Sequence, residues 1–546
     1  INTSPKTISL NGLRAGRSSI KLTHPDGEIR LLGIAVKQSD GTAPPEIPGY
    51  LGVGGVHENH ENEMDYLDEW DNSNPLKQKW YDFHYSYVQG GTFSSISSWR
   101  TAATYDGERI SRLTRNALKR GAIPVYTWYN MVSETHGDGD VYKALQDATH
   151  MKEYFYDFKV FLDMAKDELA GENCVIVLEP DQIGYLAQQQ AESPGEIPVP
   201  VYKAYEVGLL DRATDPTFSN NVIGWVRAIN YAISKHLPQA RFGWKVNLWA
   251  TRLGSTFPIP EKGICRSTDG LNTAAEVLTQ RKKIYAEARA IARYYKACDV
   301  DSYNADFLAL DKYGWDGGRE LNQPGIDHPE QTKWLWNAAH WVNYLVFTRG
   351  LHDESELPIC LWQLPMGHLD STRTNNPWKT DGSFTDLANR GATYYEDSTV
   401  SFFFGDTFQE TDSQDKTYFL KEYGIAGVSE DSNGNIVWSD HLDLVKQAGV
   451  EMMLFGHGLA DSTWGWYTTS NREEAPPDDN FFNTKVQDYL NKLADDANRT
   501  PTGNELATIT ADYTPPTDPD PDPEPDPDPD PDPDPEPEPE PEPDAV

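Results

Sequence analysis

Basic residues are scarce in this chain. Against 85 aspartates and glutamates stand 47 lysines and arginines, for a net charge of −38. A surface of that sign repels phosphate backbones, so nucleic acid is not an expected partner. Cysteine is scarce as well. Cys174, Cys265, Cys298 and Cys360 are the only four, and no two form a Cys-x-x-Cys pair, which argues against a zinc centre. Cys174 and Cys360 fall in apolar runs, so buried free thiols are expected, with one or two disulfides as the alternative for an exported chain. No apolar run approaches the roughly 18 residues of a membrane span. There is neither an initiating methionine nor a basic-plus-apolar leader, as expected of a mature, secreted protein. A Gly-rich phosphate loop and a Gly-x-Ser-x-Gly elbow are both missing. His57-Glu-Asn-His60 lacks the His-Glu-x-x-His spacing. Asp431-Ser-Asn-Gly434 misplaces the glycine of a calcium loop and reads better as a hairpin turn. Neither metal nor cofactor is expected.

Aromatic residues, by contrast, are plentiful: 16 Trp, 28 Tyr and 19 Phe. Core packing accounts for many. A saccharide groove accounts for an excess, because sugar rings present apolar C–H faces that stack on flat side chains, while Tyr and Trp also offer a polar handle. Fourteen of the negative charges lie in the Pro-Asp and Pro-Glu repeat of residues 518–544, leaving −24 for the rest. That repeat has nothing apolar to bury and repels itself, so 514–546 is expected to be a disordered, extended linker, of the kind that leads to a carbohydrate-binding module. Residues 1–60, with short alternating stretches and Pro/Gly turns, are expected to be a β-rich extension, and 61–513 the main domain.

Eight apolar or aromatic runs within that domain read as strands: Tyr81–Gln89, Ile123–Tyr129, Val175–Leu178, Phe242–Trp249, Phe307–Tyr313, Ile359–Leu364, Val400–Phe404 and Met452–His457. Helical patterns separate most of them, over Ile110–Arg120, His150–Leu169, Val222–His236, Ala274–Lys296, Gln331–Thr348 and His441–Ala448. Gly121 and Gly449 stand where helix C-terminal caps belong. Alternation repeated about eight times predicts an α/β fold of the TIM-like (β/α)8 barrel type.

The most informative stretch is Val175-Ile-Val-Leu-Glu179-Pro-Asp181-Gln-Ile-Gly184. Four consecutive aliphatic residues suit a strand buried on both faces. Pro180 cannot donate to a ladder, so the strand should end there. Two carboxylates then stand at the carboxyl end of a buried parallel strand, where barrels place their chemistry. A glycosidase needs two carboxyl groups across the scissile bond, and acids follow most of the proposed strands: Glu179, Asp181, Asp311, Asp316, Asp370, Asp406 and Asp461. Aromatics cluster at the same tips: Trp128 and Tyr129, Trp249, Tyr313 and Trp315, Trp362, Trp464 and Trp466. These are the candidate sugar-binding residues, with Gln363 and His457 as hydroxyl partners.

Residues 175–184 closely resemble a signature of the glycoside hydrolase family 6 cellulases; only Gln182 departs from it. The resemblance implies a distorted barrel, hydrolysis of a β-linked glucan with inversion, and Asp181 as proton donor. Gly456-His-Gly-Leu-Ala-Asp461-Ser-Thr463 is similar to the family's loop carrying the acid proposed as base, which implies that role for Asp461, with Asp311 second. The strand tip at 242–249 lacks the family's Asp-Ala-Gly-His. The family's Tyr-x-x-Pro-x-Arg-Asp-Cys signature is absent; Val125–Asn130 stands in its place, with Asp138 or Asp140 as the substitute acid. Two other readings stay open: a retaining glycosidase acting on chitin, xylan or mannan with Glu179 as acid or nucleophile, and a non-catalytic polysaccharide-binding barrel. The expected partner is a polysaccharide, and the expected state a monomer.

Overall fold

An unbroken apolar strand can bury both faces only if helices cover one and other strands' side chains fill the other. The aliphatic runs take that arrangement here. The structure is a computed structural model that describes residues 10–12, 15–23, 29–41, 44, 50–56, 81–90, 99–100, 106–131, 141–189, 193–251, 260–312, 328–331, 335–369, 397–423, 427–456, 481–492 and 503–511. The strands are β1 (Gly16–Thr23), β2 (Ile29–Val36), β3 (Gly52–Val56), β4 (Phe83–Gln89), β5 (Ile123–Tyr129), β6 (Cys174–Leu178), β7 (Ala240–Val246), β8 (Phe307–Asp311), β9 (Ile359–Leu364), β10 (Asp406–Phe408), β11 (Val428–Glu430), β12 (Ile436–Trp438) and β13 (Val450–Phe455). Eight of them close into a parallel barrel in the order β13-β3-β4-β5-β6-β7-β8-β9. The barrel class is therefore as expected, and the barrel is closed, without the opening of the distorted form that the family resemblance implied.

Helices connect the strands: α1 (Glu108–Lys119), α2 (Val141–Gln146), α3 (Ala148–Leu169), α4 (Gln182–Gln189), α5 (Lys203–Glu206), α6 (Val222–His236), α7 (Ala274–Ala297) and α8 (Ala338–Ser355). The helix expected over 331–348 starts instead at Ala338, because Asn337 caps it by accepting from the His340 N–H while His340 accepts from the Asn337 N–H. The turn expected at Asn433-Gly434 joins β11 to β12, with Gly434 at φ 86°. All four cysteines are buried and unpaired in disulfides.

Two strand expectations fail, each for its own reason. Val400–Phe404 is not a strand but most of a short helix, Thr399–Phe404. A five-residue run buried all round carries no period that separates helix from strand. The eighth barrel strand is β3, inside the stretch 1–60 expected to be a β-rich extension packed on the main domain. Its sequence Gly-Val-Gly-Gly-Val has poor strand propensity. It is a strand because β4 and β13 approach it closely: a Cβ on Gly54 would sit 2.5 Å from Leu454 Cδ2 and 2.7 Å from Phe83 Cβ. The antiparallel pair β1–β2 does pack on the main domain, where Ser19 Oγ donates to the Lys119 carbonyl at 2.9 Å and Arg17 pairs with Glu172. The chain divides at Ala511–Asp512, and the linker expected over 514–546 lies outside the described residues.

Side chains alternate along each strand. Phe83 and Tyr85, Ile123 and Val125, Val175 and Val177, Phe307 and Ala309, and Cys360 and Trp362 fill the lumen. The intervening positions face the helices: Tyr126 and Trp128 pack on Phe161 of α3, and Trp244 on Trp225 of α6. Replacing Gly54 by Leu should lower the unfolding free energy by at least about 2 kcal/mol through overpacking, measured by urea denaturation. An unchanged midpoint would contradict the close approach of β3 to its neighbours.

Candidate active site

The strand tips concentrate unusual backbone. Glu179 has φ 39°, Asp181 φ 79° and Gln363, at the tip of β9, φ 56°. For residues with a Cβ such values cost on the order of 1–3 kcal/mol each and persist only where surroundings enforce them. After β6 ends at Leu178, this backbone buries Glu179 and leaves Asp181 partly exposed before α4 begins.

Glu179 is fully buried. Its carboxyl oxygens accept from the backbone N–H groups of Asn130 (3.3 Å) and Met131 (3.2 Å) at the tip of β5. Burial pushes its pKa up to about 8, against the pull of those two N–H groups and of the Tyr154 hydroxyl. The Glu179 side chain, sealed from solvent, therefore ties the tip of β6 to the tip of β5.

Asp181 is the carboxylate that meets solvent, with 26% of its side chain exposed. Asn247 Nδ2 (2.6 Å) and Lys245 Nζ (3.1 Å) donate to Oδ1, and the Tyr129 hydroxyl (2.9 Å) donates to Oδ2. Burial alone would raise its pKa, but the Lys245 charge and the three hydrogen bonds outweigh it and hold the group below the ordinary aspartate range. Lys245 is 1% exposed and continues to Asp311 Oδ2 at 2.6 Å. Asp311 is sealed in turn, with Oδ1 accepting from the Leu248 N–H at 3.1 Å. Burial raises its pKa while Lys245 opposes the rise. The two aspartates thus share one ammonium and lie less than about 6 Å apart. This is too close, and Asp311 too buried, for the water that an inverting pair admits between its carboxyls. Asp311 supports the site from beneath.

The small residue ending the 175–184 motif has a reason. A Cβ on Gly184 would lie 2.2 Å from Asn247 Oδ1, so only glycine lets α4 start beside the amide that holds Asp181.

Among the expected aromatics, Tyr129 is at the site. Trp128 is not: it is fully buried on the helix side, where its Nε1 donates to the Tyr154 hydroxyl at 3.2 Å. Adjacent residues of one strand face opposite ways, so Trp128 and Tyr129 could not both line a groove. Trp362 is in the lumen, 1% exposed, with Lys245 Nζ 5.6 Å from its ring centroid; it floors the site and offers no face for stacking. Trp249 is partly exposed and packs on Tyr185 with centroids 4.6 Å apart. Asp406 opens β10 in a small separate sheet and accepts from Ser401 Oγ, because the run before it is a helix. Tyr313, Trp315, Trp464, Trp466, Asp461, Asp316, Asp370, Asp138, Asp140, His57, His60 and His457 lie outside the described residues.

Lys245, Asn247 and Tyr87 went unseen as site residues in the sequence. Tyr87 is on the lumen side of β4 and accepts from Gln363 Nε2 at 2.7 Å. Lys245 and Asn247 follow Gly243 at alternate positions, on the inward parity of β7. A lysine on that parity in a barrel strand was the available signal.

Among the described residues, one group offers metal-type donors: His328, Asp412 and Asp415. A charged pair accounts for it, since His328 Nδ1 lies 2.7 Å from Asp415 Oδ1, which raises the imidazole pKa, and Asp412 caps the following turn.

No family model and no curated protein sequence matches the chain. The solved structures similar to it include a GH6 enzyme from Orpinomyces sp. (10% identity, 59% of this chain and 74% of that one, TM-score 0.27). A GH53 catalytic domain from Ignisphaera aggregans (11%, 76% and 86%, TM-score 0.36) and a chitinase from Chromobacterium violaceum (10%, 76% and 96%, TM-score 0.33) are others. None of these values fixes the chemistry of this chain.

The buried Glu179 makes stability depend on pH. The fold holds its proton up to about pH 8, whereas an unfolded glutamate releases it near 4.5. Stability conferred by the protonated group is complete below the lower value and is lost as pH rises toward the upper one, by up to about 1.4 kcal/mol per pH unit. Urea unfolding of wild type and Glu179→Gln between pH 5 and 8 should show the slope in wild type and a flatter line in the variant. Parallel lines would contradict a protonated Glu179.

Proposed function

We propose that the chain is a glycoside hydrolase that cleaves a β-linked glucan, acting as a secreted monomer, with Asp181 as the carboxyl group facing the scissile bond. One observation carries this reading. At the carboxyl rim of a closed (β/α)8 barrel, a partly exposed carboxylate is fixed by three donors from two flanking strand tips, amid positive-φ backbone. Tyr87, Gln363, Tyr129 and Trp249 supply hydroxyl partners and a partly exposed ring at the same rim. The resemblance of residues 175–184 to the family 6 cellulases supports a glucan over other polymers and supports inversion.

Hydrolysis needs a second carboxyl, roughly 6.5–9.5 Å across the bond for inversion. Asp311 does not meet that need, and Asp461 is the first choice from sequence. The retaining reading with Glu179 in direct contact with the sugar loses ground, because that side chain is sealed beneath the rim. The chemistry asked of the protein is ordinary acid–base assistance, worth about 100- to 10,000-fold for one positioned group.

A release assay over glucan, chitin, xylan and mannan should show hydrolysis of a β-glucan. Asp181→Asn should lower kcat/KM by at least about 100-fold in a variant that still unfolds cooperatively. Wild-type rates in that variant would overturn the assignment. Binding without hydrolysis of any polymer would mark a binding barrel instead.

A further inference from the structure

The three donors on Asp181 bear on which way protons move in the reaction. Oδ1 faces an ammonium and an amide N–H, and Oδ2 faces a hydroxyl. The ammonium accepts nothing, so a hydrogen on Oδ1 has no partner there, and every contact favours the charged form. Lys245 is sealed from water and has Asp181 and Asp311 as its counter-ions. Of the two aspartates, Asp181 keeps contact with solvent and three donors, while Asp311 is enclosed with a backbone N–H and the same ammonium. A proton entering the cluster therefore goes to Asp311 before Asp181.

We propose that Lys245 is a positioning residue which, clamped from beneath by Asp311, holds Asp181 as an anion, so that Asp181 takes up a proton during hydrolysis instead of donating one. The charge assignment stands on geometry alone; its use in hydrolysis rests on the glycosidase reading. In the step that follows, a water gives one proton to Asp181 Oδ2 as its oxygen bonds to the anomeric carbon. The bond from that carbon to the leaving oxygen breaks. The leaving oxygen takes its proton from a second carboxylic acid on the other side of the sugar. One carboxyl gains the proton the other loses. This is the reverse of the role that the family resemblance implies for Asp181, and it follows from a lysine where that family has the Asp-Ala-Gly-His strand tip.

Among the described residues, the titratable groups facing Asp181 come from five elements: Tyr129 on β5, Glu179 after β6, Lys245 on β7, Asp311 on β8 and Tyr295 on α7, whose hydroxyl donates to the Lys245 carbonyl at 3.0 Å. Glu179 is pushed toward its neutral form by burial, which spares Asp181 its repulsion. Lys245 is the only cation among the five.

Carbon-13 NMR of carboxyl-labelled aspartate, with the Asp181 signal assigned by its loss in Asp181→Asn, tests the charge. The wild-type midpoint should fall below the ordinary aspartate value of about 3.9. In Lys245→Met it should rise by at least about one pH unit, and in Lys245→Arg stay low. A wild-type midpoint at or above the ordinary value, or none of this movement, overturns the proposal. If Lys245→Met fails to fold, Lys245→Gln serves: with the ammonium replaced by a neutral amide, the Asp181 midpoint should likewise rise, and one that stays low overturns the proposal. On the polymer that the release assay identifies, the acid limb of kcat/KM should move up in Lys245→Met. Movement of the alkaline limb instead would make Asp181 the donor and overturn the proposal. A wild-type chain inert on every polymer but with a low midpoint overturns the glycosidase reading and upholds the charge assignment.

Discussion

The ammonium of Lys245, enclosed between Asp181 and Asp311, is the constraint on which this barrel's carboxyl end depends. An isolated buried charge costs several kcal/mol, recovered only when its partners are close and well placed. Three neighbouring strands must therefore end at matched heights. Register does this: Leu178 pairs with Trp244, Lys245 with Ala309 and Asp311 with Trp362. One slipped residue would turn Lys245 toward the helices and leave two carboxylates without a cation. Trp362 closes the arrangement from below, with the ammonium near its ring.

From that pair the rim follows outward. Asp181 reaches Lys245 only because its backbone adopts φ 79°. The turn places α4 beside Asn247, and a side chain at Gly184 would displace the amide. Tyr129 comes from the opposite neighbour, on the inward parity of β5, and completes the set of donors. Glu179, two residues from Asp181, braces the Asn130 and Met131 amides from inside. Two carboxyls of one Glu-Pro-Asp motif thus occupy environments that drive their protonation in opposite directions. Burial keeps the proton on one, and an ammonium keeps it off the other.

The barrel was legible because parallel strands buried on both faces leave apolar or aromatic runs, and those at 123–129, 174–178, 307–311 and 359–364 are such runs. β3 was illegible because close approach of Phe83 and Leu454 demands glycine, which erases the apolar signal. Val400–Phe404 misled because full burial erases the period. At the site, Asp181 and Tyr129 were visible from strand-end position. Trp128 and Trp362 were misplaced because a strand tip says where a residue stands along the barrel, while parity and depth say whether it meets the groove. Lys245 was the largest omission. A lysine inside a strand reads as a surface residue until its parity is counted, and its partners lie 64 and 66 residues away in sequence.

A double-mutant cycle on folding stability, with Lys245→Met and Asp311→Asn, measures the central interaction most directly. Each single change should cost about 3–5 kcal/mol by stranding a buried charge or polar partner. The double variant should cost less than the two together by at least about 2 kcal/mol, because removing both partners leaves nothing stranded at that contact. Single effects that add to within about 0.5 kcal/mol would show that the ammonium and the buried aspartate do not depend on each other, and the account of this site would fail.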